Sequence, residues 1–152
     1  MLRALGAALG VDATAGALAD AIEARARDVA TRAAGRAPVT FAYLIWREPL
    51  MAVGRGTYVD ALLAVAGGRN IVPAAAGRYP EIAADALAAA DRILLSSEPF
   101  PFAERHREEL AAATGLPLDR FALVDGELLS WHGARTLEGL SYAERLFFAR
   151  PI

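Results

Sequence analysis

The sequence predicts an α/β fold: a single lobe built on one mainly parallel sheet flanked by helices and preceded by a long backbone helix. Three observations carry this. β-branched and aromatic runs alternate with helical runs of about ten residues or more, the pattern of strands joined by right-handed helical crossovers. Two of the strand-like runs, FAYLI and RILLSS, are almost continuously apolar, as strands buried on both faces are. No proline interrupts Asp12 to Gly35, so one helix of roughly 30 Å or a little more fits there. With 152 residues, 55% of them hydrophobic, the chain suffices for one domain with a real core and is too short for two ordinary ones.

The elements follow in order. The first 35 residues are helical in composition, with a break expected at Gly10 and a fresh start capped by Asp12. Leu18, Ile22 and Val29 form the apolar stripe of the second helix, and Glu23, Arg25, Arg27, Asp28 and Arg32 its wet side. Beyond Pro38, VTFAYLIW reads as a strand. TYVDALLAVAGG then reads as a helix opened by Thr57, with Asp60 three residues on, and closed by Gly67 and Gly68. A short strand NIV, a loop through Tyr79 and Pro80, a helix near ADALAAA, the strand RILLSS and the helix FAERHREELAAATG ended by Gly115 come next. FALV is the last clear strand, ELLSW reads as a second short one, and ARTLEGLSYAERLFF closes the chain as a helix.

In open α/β sheets ligands bind outside the carboxyl ends of the strands. Loops entering the strands here are short and plain, whereas those leaving them are long and decorated: WREPLMAVGRG, SEPFPF and GELLSWHG. Trp46, Arg47, Met51, Phe100, Phe102, Trp131 and His132 are therefore expected at one edge of the sheet, as a binding face. Trp46 reads equally as a cap on the core. Arg47 with Glu48 reads either as a solvated ion pair or as a grip for a carboxylate or phosphate. His132 reads as a turn residue before it reads as a metal ligand, and His106, on a charged helix face, as a solvated residue. Gly54 to Thr57, GRGT, opens a helix and is a weak candidate for an anion cradle, with neither a Walker loop nor a full dinucleotide fingerprint around it.

Composition narrows the function. Lys+Arg number 16 against 18 Asp+Glu, and the basic residues are dispersed, so nucleic acid is not an expected partner. Cysteine is absent, which excludes disulfides, thiolate nucleophiles and thiolate metal sites. Nothing at the N-terminus has the order of a signal peptide and no apolar run approaches a membrane span, so the chain as it stands is expected to be soluble and without an export address. There is no nucleophile elbow and no histidine pair at metal-binding spacing, and Ser130, His132 and Asp125 lie too close together to make a triad. No enzyme is read here.

Four stretches in the same order, Ile45 to Ile71, Arg78 to Leu87, Leu94 to Phe102 and Val124 to Thr136, resemble the solute-binding proteins of ABC importers for cobalamin, iron-siderophores and heme, the helical-backbone metal receptors. The resemblance runs over nearly the whole chain. It implies a division into 1–36, a helical segment including the inter-lobe backbone helix, and 37–152, the C-terminal ligand-binding lobe. The family's N-terminal lobe, its signal peptide and half of the cleft would lie upstream of Met1, and the parent would be periplasmic or in the cell envelope. Ligand contacts carried over by the resemblance are Trp46, Arg47, Tyr79, Ser130, Trp131 and His132. Asp85 falls where relatives carry a permease-docking acid, more often glutamate. Ala83 stands where a serine cap is usual, a loss of about 1 kcal/mol of local helix stability. The implied function is that of a binding module without covalent cofactor or chemistry on its ligand, a metal chelate and foremost cobalamin, working with ABC permease subunits. A stand-alone α/β nucleotide-binding or regulatory domain is the rival reading. A fragment whose uncovered apolar surface drives self-association is a third.

Overall fold

The structure, a computed structural model, describes residues 1–148; the last four residues of the 37–152 segment lie outside the described residues. Helices α1 (Leu2–Leu9) and α2 (Asp12–Ala34) meet at a left-handed Gly10, φ 68°. The Val11 N–H reaches back to the Gly6 carbonyl at 2.9 Å, closing the end of α1 as Gly-terminated helices do. Asp12 is the first helical residue and not the cap. Val11 takes the cap position with no side-chain bond, and the Asp12 carboxylate still faces the positive end of the helix dipole. Only part of the expected stripe is buried, because α2 rests on the lobe mainly through α6 (Arg135–Phe148). Val29 is buried together with Ala19 and Ala33, whereas Leu18 and Ile22 are half-buried. Two residues from the expected wet side make the attachment. Arg25 donates to Ser141 Oγ, from Nη2 at 2.6 Å, and Arg32 forks onto the Glu144 carboxylate.

Strands β1 (Val39–Trp46), β4 (Arg92–Ser96) and β5 (Phe121–Val124) run parallel, with Leu44 opposite Leu95 and Ser96 opposite Val124. The other edge of β1 is shared. Strand β3 (Gly68–Asn70) lies parallel along its first half, and β2 (Met51–Ala52) folds back antiparallel at its end. The third strand thus begins two residues before the expected NIV and shares only Asn70 with it, pairing Val39 with Gly68. Phe41, Tyr43 and Leu94 point to one face, packed under α2, α3 (Tyr58–Val65), α5 (Gly126–Ser130) and α6. Ala42, Leu44, Ile93 and Leu95 point to the other, with Leu87, Phe102 and Phe121. Both faces are covered, which accounts for the continuous apolarity of the two central strands.

Two expectations are corrected. ADALAAA is a 3₁₀ segment, Ala84–Ala89, not an α-helix. Its Ala83 cap makes no side-chain bond and Leu87 is its only buried residue, so neither end nor face rewards a longer helix. ELLSW is not a strand but most of α5, because Asp125 caps it: Oδ1 accepts from the Leu128 N–H at 3.1 Å. Helix α4 (Glu104–Thr114) ends as expected at a left-handed Gly115.

Asp91 clasps the entry to β4 onto β1. Its Oδ2 accepts from the Thr40 hydroxyl at 2.6 Å and from the Thr40 N–H at 2.9 Å, while its own N–H donates to Thr40 Oγ1 at 2.8 Å. The Thr40 hydroxyl, then the Thr40 N–H, hold the carboxyl below its ordinary value. A lowered folded-state pKa gives stability that is present above the unfolded value of about 3.9 and is lost as pH falls through the folded one. Asp91→Asn is therefore expected to cost about 0.5–1 kcal/mol at pH 7, at the low end for a charged acceptor because the site is solvent-exposed. Denaturation midpoints of both proteins at pH 7 and pH 3 check this: the gap narrows at the lower pH.

Candidate functional site

The carboxyl ends of β1, β4 and β5 open on one cleft of about 440 Å³. Ile45 and Val53 floor it, Thr57 and Tyr58 enter from the start of α3, and Tyr79 comes from the loop after β3. Glu98 and Pro99 follow β4, Ser130 ends α5 and His132 follows it. Its lining is mostly apolar and aromatic with a few polar groups, the composition of a small-molecule site.

Each wall has a local cause. Thr57 caps α3, accepting from the Asp60 N–H at 3.1 Å and donating to the Gly54 carbonyl at 3.0 Å. Gly54 lets the 77–79 segment approach closely, and its N–H bonds the Arg78 carbonyl at 2.7 Å. Ala52 bonds the Pro80 carbonyl at 3.0 Å. Tyr79, flanked by these two bonds, stands exposed on the rim. Tyr58 stacks on His132 with centroids 4.1 Å apart, and its hydroxyl pairs with Thr136 Oγ1 at 2.8 Å. Burial pushes the Tyr58 phenol above its ordinary pKa, against the opposing pull of Thr136, so it stays neutral. Beneath the cleft, the fully buried Tyr43 pairs its hydroxyl with Ser96 Oγ at 2.9 Å, and Ser96 donates to the Glu98 carbonyl at 2.6 Å. Burial raises the Tyr43 phenol as well.

Of the residues singled out in the sequence, Tyr79, Ser130 and His132 line the cleft. Trp131 stands beside it, its indole donating to Glu98 Oε1 at 2.6 Å and Arg135 lying 6.0 Å over its ring. Trp46 is 41% exposed, packs edge-on against Phe100 and donates to the Glu48 carbonyl. Arg47 is ion-paired with Glu109 at 2.8 Å and Glu48 at 3.6 Å. Neither lines the cleft. Asp85 is exposed on its 3₁₀ segment and is not among the lining residues. His106 is buried, not solvated: its Nδ1 accepts from the Ala103 N–H at 3.0 Å and closes the start of α4. Sequence reasoning missed Tyr58 and Glu98. Tyr58 follows the cap residue Thr57 directly, and Glu98 heads the loop after the central strand, the two signals that locate them.

Both glycine N–H groups of the GRGT stretch are already bonded internally. Gly54 N–H is held by Arg78, Gly56 N–H by the Asp60 carboxylate at 3.1 Å, and Asp60 N–H by Thr57. An anion would have to displace a carboxylate from the donors that would cradle it. Among the described residues, no group of three His, Cys, Asp or Glu side chains is placed to hold a metal, and no helix is long and apolar enough to cross a membrane.

No protein-family model and no curated relative matches the sequence. Solved structures do match. A periplasmic heme-binding protein of Pseudomonas aeruginosa is 25% identical, with a TM-score of 0.78 over 99% of this chain and 60% of its own. The apo periplasmic heme-binding protein of Roseiflexus sp. RS-1 is 24% identical, TM-score 0.77, over 97% of this chain and 60% of its own. The periplasmic vitamin B12-binding protein of Vibrio cholerae is 19% identical, TM-score 0.64, over 89% and 52%. The fold is that of one lobe of a periplasmic binding protein. The family resemblance read from four stretches of sequence holds at this level, and so does the α/β class with its leading long helix. The lobe spans about 60% of the length of the first two neighbours and about half of the third.

Proposed function

We propose that the chain is the C-terminal lobe, with its backbone helix, of the substrate-binding component of an ABC importer, that it binds a metal chelate, and that the ligand is a corrinoid such as cobalamin. The carrying observation is the cleft itself: an open site at the carboxyl edge of the sheet, walled by Tyr79 and the stacked Tyr58–His132 pair. Flat aromatic walls with few polar groups suit a large planar ligand held by stacking and hydrogen bonds, with no bond made or broken. The parent protein is then periplasmic, as the neighbours' descriptions say of themselves, and not an enzyme. Asp85, exposed outside the cleft, serves the permease contact. A second lobe, for which the neighbours' greater length leaves room, supplies the other half of the cleft. The exposed apolar row Met1, Leu5, Leu9 and Val11 on and beside α1 supports self-association of the chain by itself.

Heme is the second reading, favoured by two observations: the Tyr79 phenol and His132 imidazole, both potential metal donors, line the cleft, and the two neighbours of 24–25% identity are described as heme-binding. Calorimetric titration with cyanocobalamin and absorbance titration with hemin test both. Weak binding, with Kd on the order of 10 µM or above, is expected from one lobe of a two-lobed site. Tyr79→Ala and His132→Ala should each weaken it by about tenfold, and Trp46→Ala by less than about twofold. A chain that takes up neither tetrapyrrole nor a ferric hydroxamate would overturn the proposal. Thermal stabilisation by a nucleotide in their place would restore the nucleotide-domain reading.

A further inference from the structure

We infer that Glu98 sets the specificity of the cleft: its carboxylate accepts from the N–H groups of a ligand with an amide-bearing periphery and discriminates against one that presents carboxylates. This rests on the binding role proposed above and deepens it by naming the ligand class.

Among the described residues, Glu98 is the one acidic side chain lining the cleft, and no arginine lines it. The surrounding guanidinium groups are committed elsewhere. Arg47 pairs with Glu109 and Glu48, and Arg135 with Glu127 at 3.0 Å. Arg55 donates to the carbonyls of Val72 and Asn70, and Arg78 to that of Gly56. Arg55 and Arg78, bonded to neutral carbonyls, keep their charge, but among the described residues no arginine stands in the lining to offset a second negative charge there.

Glu98 is also held in place. Ser96 Oγ bonds both its backbone carbonyl and, at 3.2 Å, its N–H. Its side chain runs along the bare backbone of Gly126, where a Cβ would come within 2.5 Å of Glu98 Cγ. The Trp131 indole fixes Oε1, and Oε2 has no hydrogen-bond partner among the described residues. A fixed carboxylate with one vacant oxygen is a ready acceptor for an amide N–H, in a charge-assisted bond about twice as strong as a neutral one. A ligand carboxylate brought to the same place meets like charge at short range. Trp131 is then a positioning residue that acts through Glu98.

Cyanocobalamin, whose periphery carries amides, and hemin, which carries two propionates, are the two probes. The 152-residue chain is titrated with each as wild type, Glu98→Gln, Trp131→Phe and the double variant. Gln keeps an acceptor for the indole and leaves the fold intact, which circular dichroism checks. Glu98→Gln is expected to weaken cyanocobalamin by about tenfold and to tighten hemin severalfold. Trp131→Phe keeps a stacking ring. It should weaken cyanocobalamin about threefold in the wild-type background and not at all beside Glu98→Gln, the non-additivity of residues acting through one contact. Cyanocobalamin-to-hemin preference unchanged by Glu98→Gln would overturn the inference and leave the binding role standing. Failure of the wild-type chain to bind either probe would overturn the inference, and failure to bind a ferric hydroxamate as well would remove the binding role with it.

Discussion

Gly54→Ala is expected to destabilise the protein by about 3 kcal/mol, lowering the thermal midpoint by about 6–12 °C. A Cβ on Gly54 would lie 2.0 Å from the Gly77 carbonyl oxygen, 3.1 Å from its carbon and 3.2 Å from the Arg78 carbonyl carbon. These obstacles are backbone atoms, which cannot rotate aside as a side-chain tip can. Relief requires the 77–80 segment to move outward. That breaks the bond from Gly54 N–H to the Arg78 carbonyl and loosens the one from Ala52 N–H to Pro80. The effect then spreads to the site, because those bonds bracket Tyr79 on the rim. Gly56→Ala, two residues away, is the control. Gly56 has φ 74° with open space around it, so alanine costs only the strain of a left-handed conformation, about 1 kcal/mol. Thermal and denaturant melts of the two variants check the ordering. Equal midpoints would mean that the loop yields freely and that Tyr79 is not held by it.

Most of the fold was legible because burial on both faces leaves a plain trace: FAYLI and RILLSS have no wet side, and the glycine and proline punctuation marks the elements between them. The misread elements failed for local reasons. ELLSW has strand-like residues, but Asp125 one position before Gly126 caps a helix there, and a cap bonded to Leu128 N–H outweighs a weak β preference. The candidate site was legible only as an edge. Long decorated loops said where the cleft opens; they could not say which aromatic faces it. Trp131 reaches Glu98 across 33 residues of chain, a partnership no local pattern records. Tyr58 was passed over because it sits one residue inside a helix, where an argument about loops stops.

The sharpest case of an aromatic assigned by edge alone is Phe102, and Phe102→Ala is expected to cost about 3 kcal/mol, or about 6–12 °C in thermal midpoint, with ligand affinity of the folded fraction unchanged. The loop after β4 turns its rings inward. Phe102 is 7% exposed, meets Phe100 edge-on with centroids 4.8 Å apart, and shares the core with Leu95, Leu87 and Phe121. Phe100 in turn carries Trp46 at 5.8 Å and His106 at 5.1 Å. This cluster plugs the end of the sheet on the face away from Tyr43, and the cleft lies on Tyr43's side, over Ser96 and Ser130. Truncating Phe102 removes a ring from a packed interior, so the loss is a transfer term plus a cavity, taken at the lower end of the Phe→Ala range because a site at the sheet's edge can partly collapse. Trp46→Ala, at a half-exposed position with one ring contact, should cost only about 1 kcal/mol. Melts and a corrinoid titration of both variants separate the roles. Were Phe102→Ala to keep its midpoint and lose binding, the ring would belong to the ligand and the cleft would have to be redrawn on the other side of the sheet.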